Sequence, residues 1–185
     1  MEVEVRAKIK NFPGLKRKLK AMGAKFGRVL NQKDLIFYPE EAIRKKAQKS
    51  GDIILRIRDE NGKGFFGLKG LTDRKGVWLE HEFLVDNPRE ARAMIETLGF
   101  RRLITLEKKR VSGRLGKIIF CLDEIKSLGN YLEMEIITTR KRSQEAQEKI
   151  KKIFSRLGID KRDFVRLGYP QIILKKKGWR FSGER

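Results

Sequence analysis

Five short stretches of this sequence set like charges two residues apart. Glu2 and Glu4 open the chain, Arg56 and Arg58 stand in LRIR, and Glu80 and Glu82 in LEHEF. Lys108 and Arg110 follow in EKKR, and Glu133 and Glu135 in LEMEI. Arg6 continues the parity of the opening pair, and Lys69 lies in FFGLKG, the segment after LRIR. Basic side chains of this kind grip phosphate oxygens with charge-assisted hydrogen bonds. Carboxylates suit Mg²⁺ or Mn²⁺, hard cations that take oxygen ligands and share them with substrate phosphates. The two sets together have one coherent use, a divalent cation acting on a polyphosphate.

Residues two apart point the same way only on a β-strand. The residues between the charged ones are mostly Val, Leu, Ile, Met and Phe, so each stretch reads as a strand with one charged and one apolar face. For any single pair the plain alternative is charge turned to water, with helices covering the apolar side. The recurrence of unmixed pairs argues instead for charged faces that converge, as they would if the sheet curled into a closed barrel.

The strands alternate with helices. EVEVRAKI is followed by a helix over FPGLKRKLKAMGA, and RVLNQKDLIFYP by EEAIRKKAQKSGD, which reads as a loop or a short helix. ILRIR and FFGLK form a hairpin through ENGKG, and WLEHEFLV extends the antiparallel series. NPREARAMIETLGF has the Asn-Pro start and Gly end of a helix. RRLITLEKKRVSG and KIIFCLDEI are strands joined by a Ser-Gly turn, followed by LGNYLEMEII and a long helix in KRSQEAQEKIKKIFSRLGI. Three helices ending in MGA, LGF and LGI suggest a loose duplication.

The 185 residues carry 45 Lys plus Arg against 24 Asp plus Glu, a formal charge of +21, which predicts a polyanionic partner. The single cysteine, Cys121, sits in IIFCL and reads as a small buried hydrophobe in a reducing, cytoplasmic setting. The opening residues do not read as a secretory leader, and no apolar run has the length of a membrane span.

At these residues the sequence resembles the CYTH family, the triphosphate tunnel proteins that include class IV adenylyl cyclases, thiamine triphosphatases and inorganic triphosphatases. Glu2-Val3-Glu4-Val5-Arg6 is similar to the family's E-x-E-x-K, with arginine where lysine is usual. Arg56/Arg58, Lys69, Glu80/Glu82, Lys108/Arg110, Asp123 in LDEI and Glu133/Glu135 continue the series in order. The resemblance implies an α+β fold built on a closed eight-stranded antiparallel β-barrel with flanking helices. It implies one tunnel domain over residues 1–174, followed by a basic tail or edge extension over 175–185. It assigns Arg6, Arg56, Arg58, Lys69, Lys108 and Arg110 to the phosphates, and Glu2, Glu4, Glu133 and Glu135 to Mg²⁺ or Mn²⁺. Glu80 and Glu82 support the metal or position the cations, and Lys69 and Asp123 are the catalytic candidates.

Two reactions suit such a scaffold. One is cyclisation of ATP to cyclic AMP and pyrophosphate, favoured by the likeness of LDEI-x-x-LGNYLEMEI to the class IV cyclase segment. The other is hydrolysis of an inorganic or thiamine triphosphate. The expected partner is a triphosphate-containing small molecule such as ATP, thiamine triphosphate or tripolyphosphate. A non-catalytic polyphosphate- or nucleic-acid-binding protein is the remaining reading, and the interleaved acidic pairs weigh against nucleic acid. No membrane partner is expected, and a homodimer is compatible with the sequence. His81 alternates away from Glu80 and Glu82; Lys33 and Asp34 could reach the tunnel mouth, with structural or solvated roles at least as well supported; Tyr38, Tyr131 and Tyr169 could rim a base or thiamine pocket, with packing the safer reading. Gly62, Gly64, Gly67 and Gly70 mark a hairpin rather than a phosphate cradle.

Overall fold

The computed structural model describes residues 2–71 and 78–181; the side chains of Glu2, Leu71, Trp78 and Arg140 lie outside the described residues. In chain order the elements are β1 (Glu2–Ile9), α1 (Phe12–Ala21), β2 (Lys25–Pro39), α2 (Glu40–Lys45), β3 (Ala47–Gln48), β4 (Ile53–Glu60), β5 (Lys63–Leu71) and β6 (Trp78–Leu84). They continue as α3 (Pro88–Thr97), β7 (Phe100–Leu115), β8 (Ile118–Ile125), β9 (Gly129–Ile137), α4 (Ser143–Arg156), β10 (Phe164–Val165), α5 (Tyr169–Lys175) and β11 (Arg180–Phe181).

The expected barrel is not formed. Nine strands make one sheet in the order β10-β1-β9-β8-β7-β2-β4-β5-β6, and β11 pairs β3 in a separate two-stranded parallel sheet. Among the described residues, the end strands β10 and β6 do not pair with each other, so the sheet is open. Part of the reason is the length of β10, which meets β1 only at Val165 and Phe164. Two residues supply too short a ladder to close a cylinder. The fold is therefore an α+β open sheet rather than an eight-stranded barrel.

The chain divides into two compact units, Met1–Leu30 with Lys108–Arg166, and Asn31–Glu107 with Leu167–Arg185. In the first unit, α1 and α4 lie on the apolar face of β1, β9 and β8. Val3, Val5, Ala7, Leu132, Met134, Phe120 and Leu122 pack there with Leu15, Leu19, Ile150 and Phe154. Strand alternation supplies one half of this core and helical spacing the other. Each helix ends at a glycine in the left-handed region, Gly23 after α1 and Gly158 after α4. In the second unit α3 does the same work, its Ile95 packing with Phe37, Leu55 and Ile57.

Two turns set the registers that matter. Asn61 and Gly62 both take positive φ (50° and 84°), the conformation that matches a tight turn to the twist of its strands, and they join β4 to β5. The turn expected at Ser112-Gly113 lies further on: β7 runs through both residues to Leu115, and Gly116 (φ 60°) carries the reversal. Gly113 has a different task. It stands opposite Phe120, and a Cβ there would lie 2.3 Å from that ring and 2.4 Å from the Lys25 carbonyl oxygen.

The ambiguous EEAIRKKAQKSGD segment forms α2 and β3. Beyond α5 the chain packs: Trp179 is 6% exposed and meets the Tyr38 ring edge-on at 5.3 Å. No described helix is long and apolar enough to cross a membrane.

Gly113→Ala forces either Phe120 or the Lys25 carbonyl to move, and overpacking of this kind costs about 1–3 kcal/mol. Urea denaturation measures the loss, and a variant as stable as the wild type would show that the strand yields freely there.

Candidate functional site

Strand register gathers the predicted charges on the face opposite the helices, in each unit separately. In the first unit Glu4 stands opposite Glu135 and Arg6 opposite Glu133. Arg110 stands opposite Asp123, and Cys121 lies between Ser112 and Glu133 on the flanking strands. Arg6 donates through Nε (2.9 Å) and a terminal nitrogen (2.6 Å) to Oε2 of Glu133, and pairs with Glu4 as well. Arg110 lays its fork on Asp123, with both bonds at 2.6 Å, and reaches Oε1 of Glu133 at 3.3 Å. Lys108 is buried two residues along the same strand. Glu2 pairs with Ile137 through its backbone, but its predicted metal-binding side chain lies outside the described residues.

Asp123 is 0% exposed. Burial pushes its carboxyl pKa up, but the charges of Arg110 and Lys108 and the hydrogen bond from Arg110 outweigh that and hold it below the ordinary value. For Arg110, burial works against the charge, and Asp123, Cys121 and Glu133 more than restore it. Burial also pushes the Cys121 thiol up to about 11, so it stays protonated at neutral pH. Its Sγ lies 3.5 Å from Ser112 Oγ.

The second unit repeats the device. Arg58 stands opposite Asp34 and donates to both of its oxygens, at 2.6 and 3.0 Å. Arg56 reaches Glu80 at 3.3 Å and pairs with Glu82, while Lys69 pairs with Glu80 at 2.8 Å. Gly67 stands opposite Arg56, and the missing side chain leaves room for the guanidinium: a Cβ there would touch its Nε and a terminal nitrogen at 3.4 Å. Arg56 Nε is itself a buried donor with no hydrogen-bond partner among the described residues. A buried N–H in that state costs free energy until an acceptor reaches it. His81 is exposed on the opposite face from Glu80 and Glu82.

The structure thus brings together Glu4, Arg6, Lys108, Arg110, Asp123, Glu133 and Glu135 in one unit, and Arg56, Arg58, Lys69, Glu80 and Glu82 in the other. Sequence reasoning undervalued Asp34. It shares a side of its strand with Ile36 and Tyr38, so the run DLIFY lacks the alternation that would have flagged a charged face. Ser112 and Cys121 were not recognised as members of the charged face either; parity with Arg110 and Asp123 was the available signal.

Mg²⁺ commonly takes one or two protein carboxylates and completes its shell with water and phosphate oxygens. Glu4 and Glu135, side by side across the β1–β9 pair, match that donor set in type and number. No group of three or more His, Cys, Asp or Glu among the described residues is placed to hold a metal by itself.

The CYTH domain family matches residues 1–169. A Methanocaldococcus jannaschii protein named "putative adenylate cyclase" is 27% identical over 175 residues, covering 93% of this chain and 98% of that one. The solved structure of a Pyrococcus horikoshii protein is similar with a TM-score of 0.79 and 29% identity, over 92% of this chain and 98% of that one. A Hippeastrum structure, described as a "putative adenylyl cyclase" with a dominant triphosphatase activity, is similar in fold, with a TM-score of 0.63 and 19% identity over 97% of each chain.

Asp123→Asn leaves the Arg110 charge without its closest partner, and breaking a buried pair from one side costs about 3–5 kcal/mol. The depressed carboxyl contributes its stability above the unfolded-state pKa of about 3.9 and loses it as pH falls through the folded value. Denaturation of wild type and variant at pH 7 and pH 3 should therefore show the gap closing in acid. An equal gap at both pH values would refute the charge pairing.

Proposed function

This chain belongs to the CYTH family, whose members process triphosphate substrates, and from that premise we propose that it is a divalent-metal-dependent enzyme converting ATP to cyclic AMP and pyrophosphate. The observation that carries the triphosphate part is the buried Nε of Arg56, a donor that finds no acceptor among the described residues and sits among cations aligned by carboxylates. A phosphate oxygen is the acceptor such a group calls for. Support for the cyclase branch comes from the near full-length similarity to the Methanocaldococcus protein.

In this reading Arg56, Arg58 and Lys69 of one unit, and Arg6, Lys108 and Arg110 of the other, are phosphate ligands. The carboxylates Asp34, Glu80, Glu82 and Asp123 aim those cations. Asp123 acts by fixing the Arg110 fork, since both of its oxygens receive that guanidinium. Lys69, a quarter exposed, is the catalytic candidate nearest solvent. Glu4 and Glu135 hold Mg²⁺ or Mn²⁺. When bound, the cation neutralises phosphate oxygens and orients the reacting phosphoryl group. In the cyclisation the ribose 3′-oxygen bonds to the α-phosphorus, loses its proton, and pyrophosphate leaves.

Incubation with ATP, thiamine triphosphate and tripolyphosphate, each with Mg²⁺ or Mn²⁺, tests the proposal through the products. Cyclic AMP and pyrophosphate in equal amounts are expected from ATP. Inorganic phosphate without cyclic AMP would replace the cyclase with a triphosphatase, and no turnover of any of the three would remove the enzyme. Glu4→Gln and Glu135→Gln should each lower metal-dependent turnover by about tenfold or more.

A further inference from the structure

Glu133 stands apart from the other acidic residues of its unit, and we infer that it is a positioning residue that couples Arg6 to Arg110, rather than a ligand of the divalent cation. The inference rests on the triphosphate reading above and assigns one residue within it. Both Glu133 oxygens are engaged by guanidinium groups: Oε2 takes two N–H donors of Arg6, and Oε1 takes a terminal nitrogen of Arg110. The residue is 6% exposed.

Its two arginines come from strands that are not neighbours. β9 lies between β1 on one side and β8 and β7 on the other, so Glu133 reaches one step in one direction and two in the other. Loss of the carboxylate would loosen two guanidinium groups at once, leaving Arg6 to Glu4 and Arg110 to Asp123.

Glu135 is placed differently. It is half-buried and stands opposite Glu4, so two carboxylates lie in register across the β1–β9 pair. A divalent ion at Glu4 and Glu135 would meet two carboxylates side by side, whereas at Glu133 it would have to displace three N–H donors.

Arginine at position 6 suits this arrangement. A guanidinium presents Nε and a terminal nitrogen in a fixed fork, and here both converge on one oxygen of Glu133 while the group also pairs with Glu4. A lysine has one nitrogen to share among the same acceptors.

The test separates cation binding from phosphate binding without relying on turnover. Mn²⁺ alone is titrated into the protein by electron paramagnetic resonance, and tripolyphosphate is titrated calorimetrically in the absence of divalent ions. Glu133→Gln should keep Mn²⁺ affinity within about twofold of wild type and weaken tripolyphosphate by about tenfold or more, whereas Glu135→Gln should weaken Mn²⁺ by about tenfold. Arg6→Lys, which keeps the charge and is the safer variant for folding, should weaken tripolyphosphate with Mn²⁺ affinity retained. A Glu133→Gln protein that loses Mn²⁺ as severely as Glu135→Gln overturns the assignment while leaving the triphosphate reading intact. So does an Arg6→Lys protein that binds tripolyphosphate like the wild type. A wild-type protein that binds neither probe overturns the triphosphate reading itself, and this assignment with it.

Discussion

A guanidinium removed from water must find carboxylate oxygens within hydrogen-bond reach, and most of the charged architecture follows from that need. Arg6, Arg58 and Arg110 each meet it with a carboxylate directly across a strand pair: Glu133, Asp34 and Asp123. A pair made across strands exists in one register only. Slipping either strand by one residue would separate the charges and turn the apolar face away from the helices in the same step. The turns at Asn61-Gly62 and Gly116, the left-handed glycines that end α1 and α4, and the packing of Phe154 and Ile95 all help to keep that register.

The two units solve the same problem with the same parts. In each, an arginine lies on an aspartate of the adjacent strand through Nε and a terminal nitrogen, Arg58 on Asp34 and Arg110 on Asp123. In each, a further carboxylate or carboxylate pair holds a second cation: Glu133 for Arg6, and Glu80 with Glu82 for Arg56. The same pairing chemistry thus recurs in both units. Cations organised in this way present an anion with donors whose orientation is already fixed, so little reordering accompanies binding.

Much of this was legible in the sequence because the period of a strand is two. Like charges at that spacing, with Val, Ile, Leu or Met between them, identified β1, β4, β6 and β9 and put the charged side opposite the helices. Asn-Pro and Leu-Gly marked the ends of α3 as clearly. Closure of the sheet was not legible. It depends on how the end strands meet, and the pattern along one strand carries no information about the far edge. Two residues of β10 proved too few to supply the pairing. The turn misplaced at Ser112-Gly113 fails for a related reason: Gly113 is required by the Phe120 ring across the strand pair, not by a reversal of the chain. Asp34 was obscured by Ile36 and Tyr38, apolar neighbours on its own face.

Cys121 gives the first unit a clock. It is the sole cysteine of the chain, buried on β8 between Ser112 and Glu133, with its thiol held protonated by burial. Burial and a scarce thiolate both make its reaction with a thiol reagent slow while the site is closed. The rate of labelling therefore counts the excursions in which the sheet opens at its charged centre. Without any engineered probe, the chain carries a reporter of local opening at the centre of its first unit.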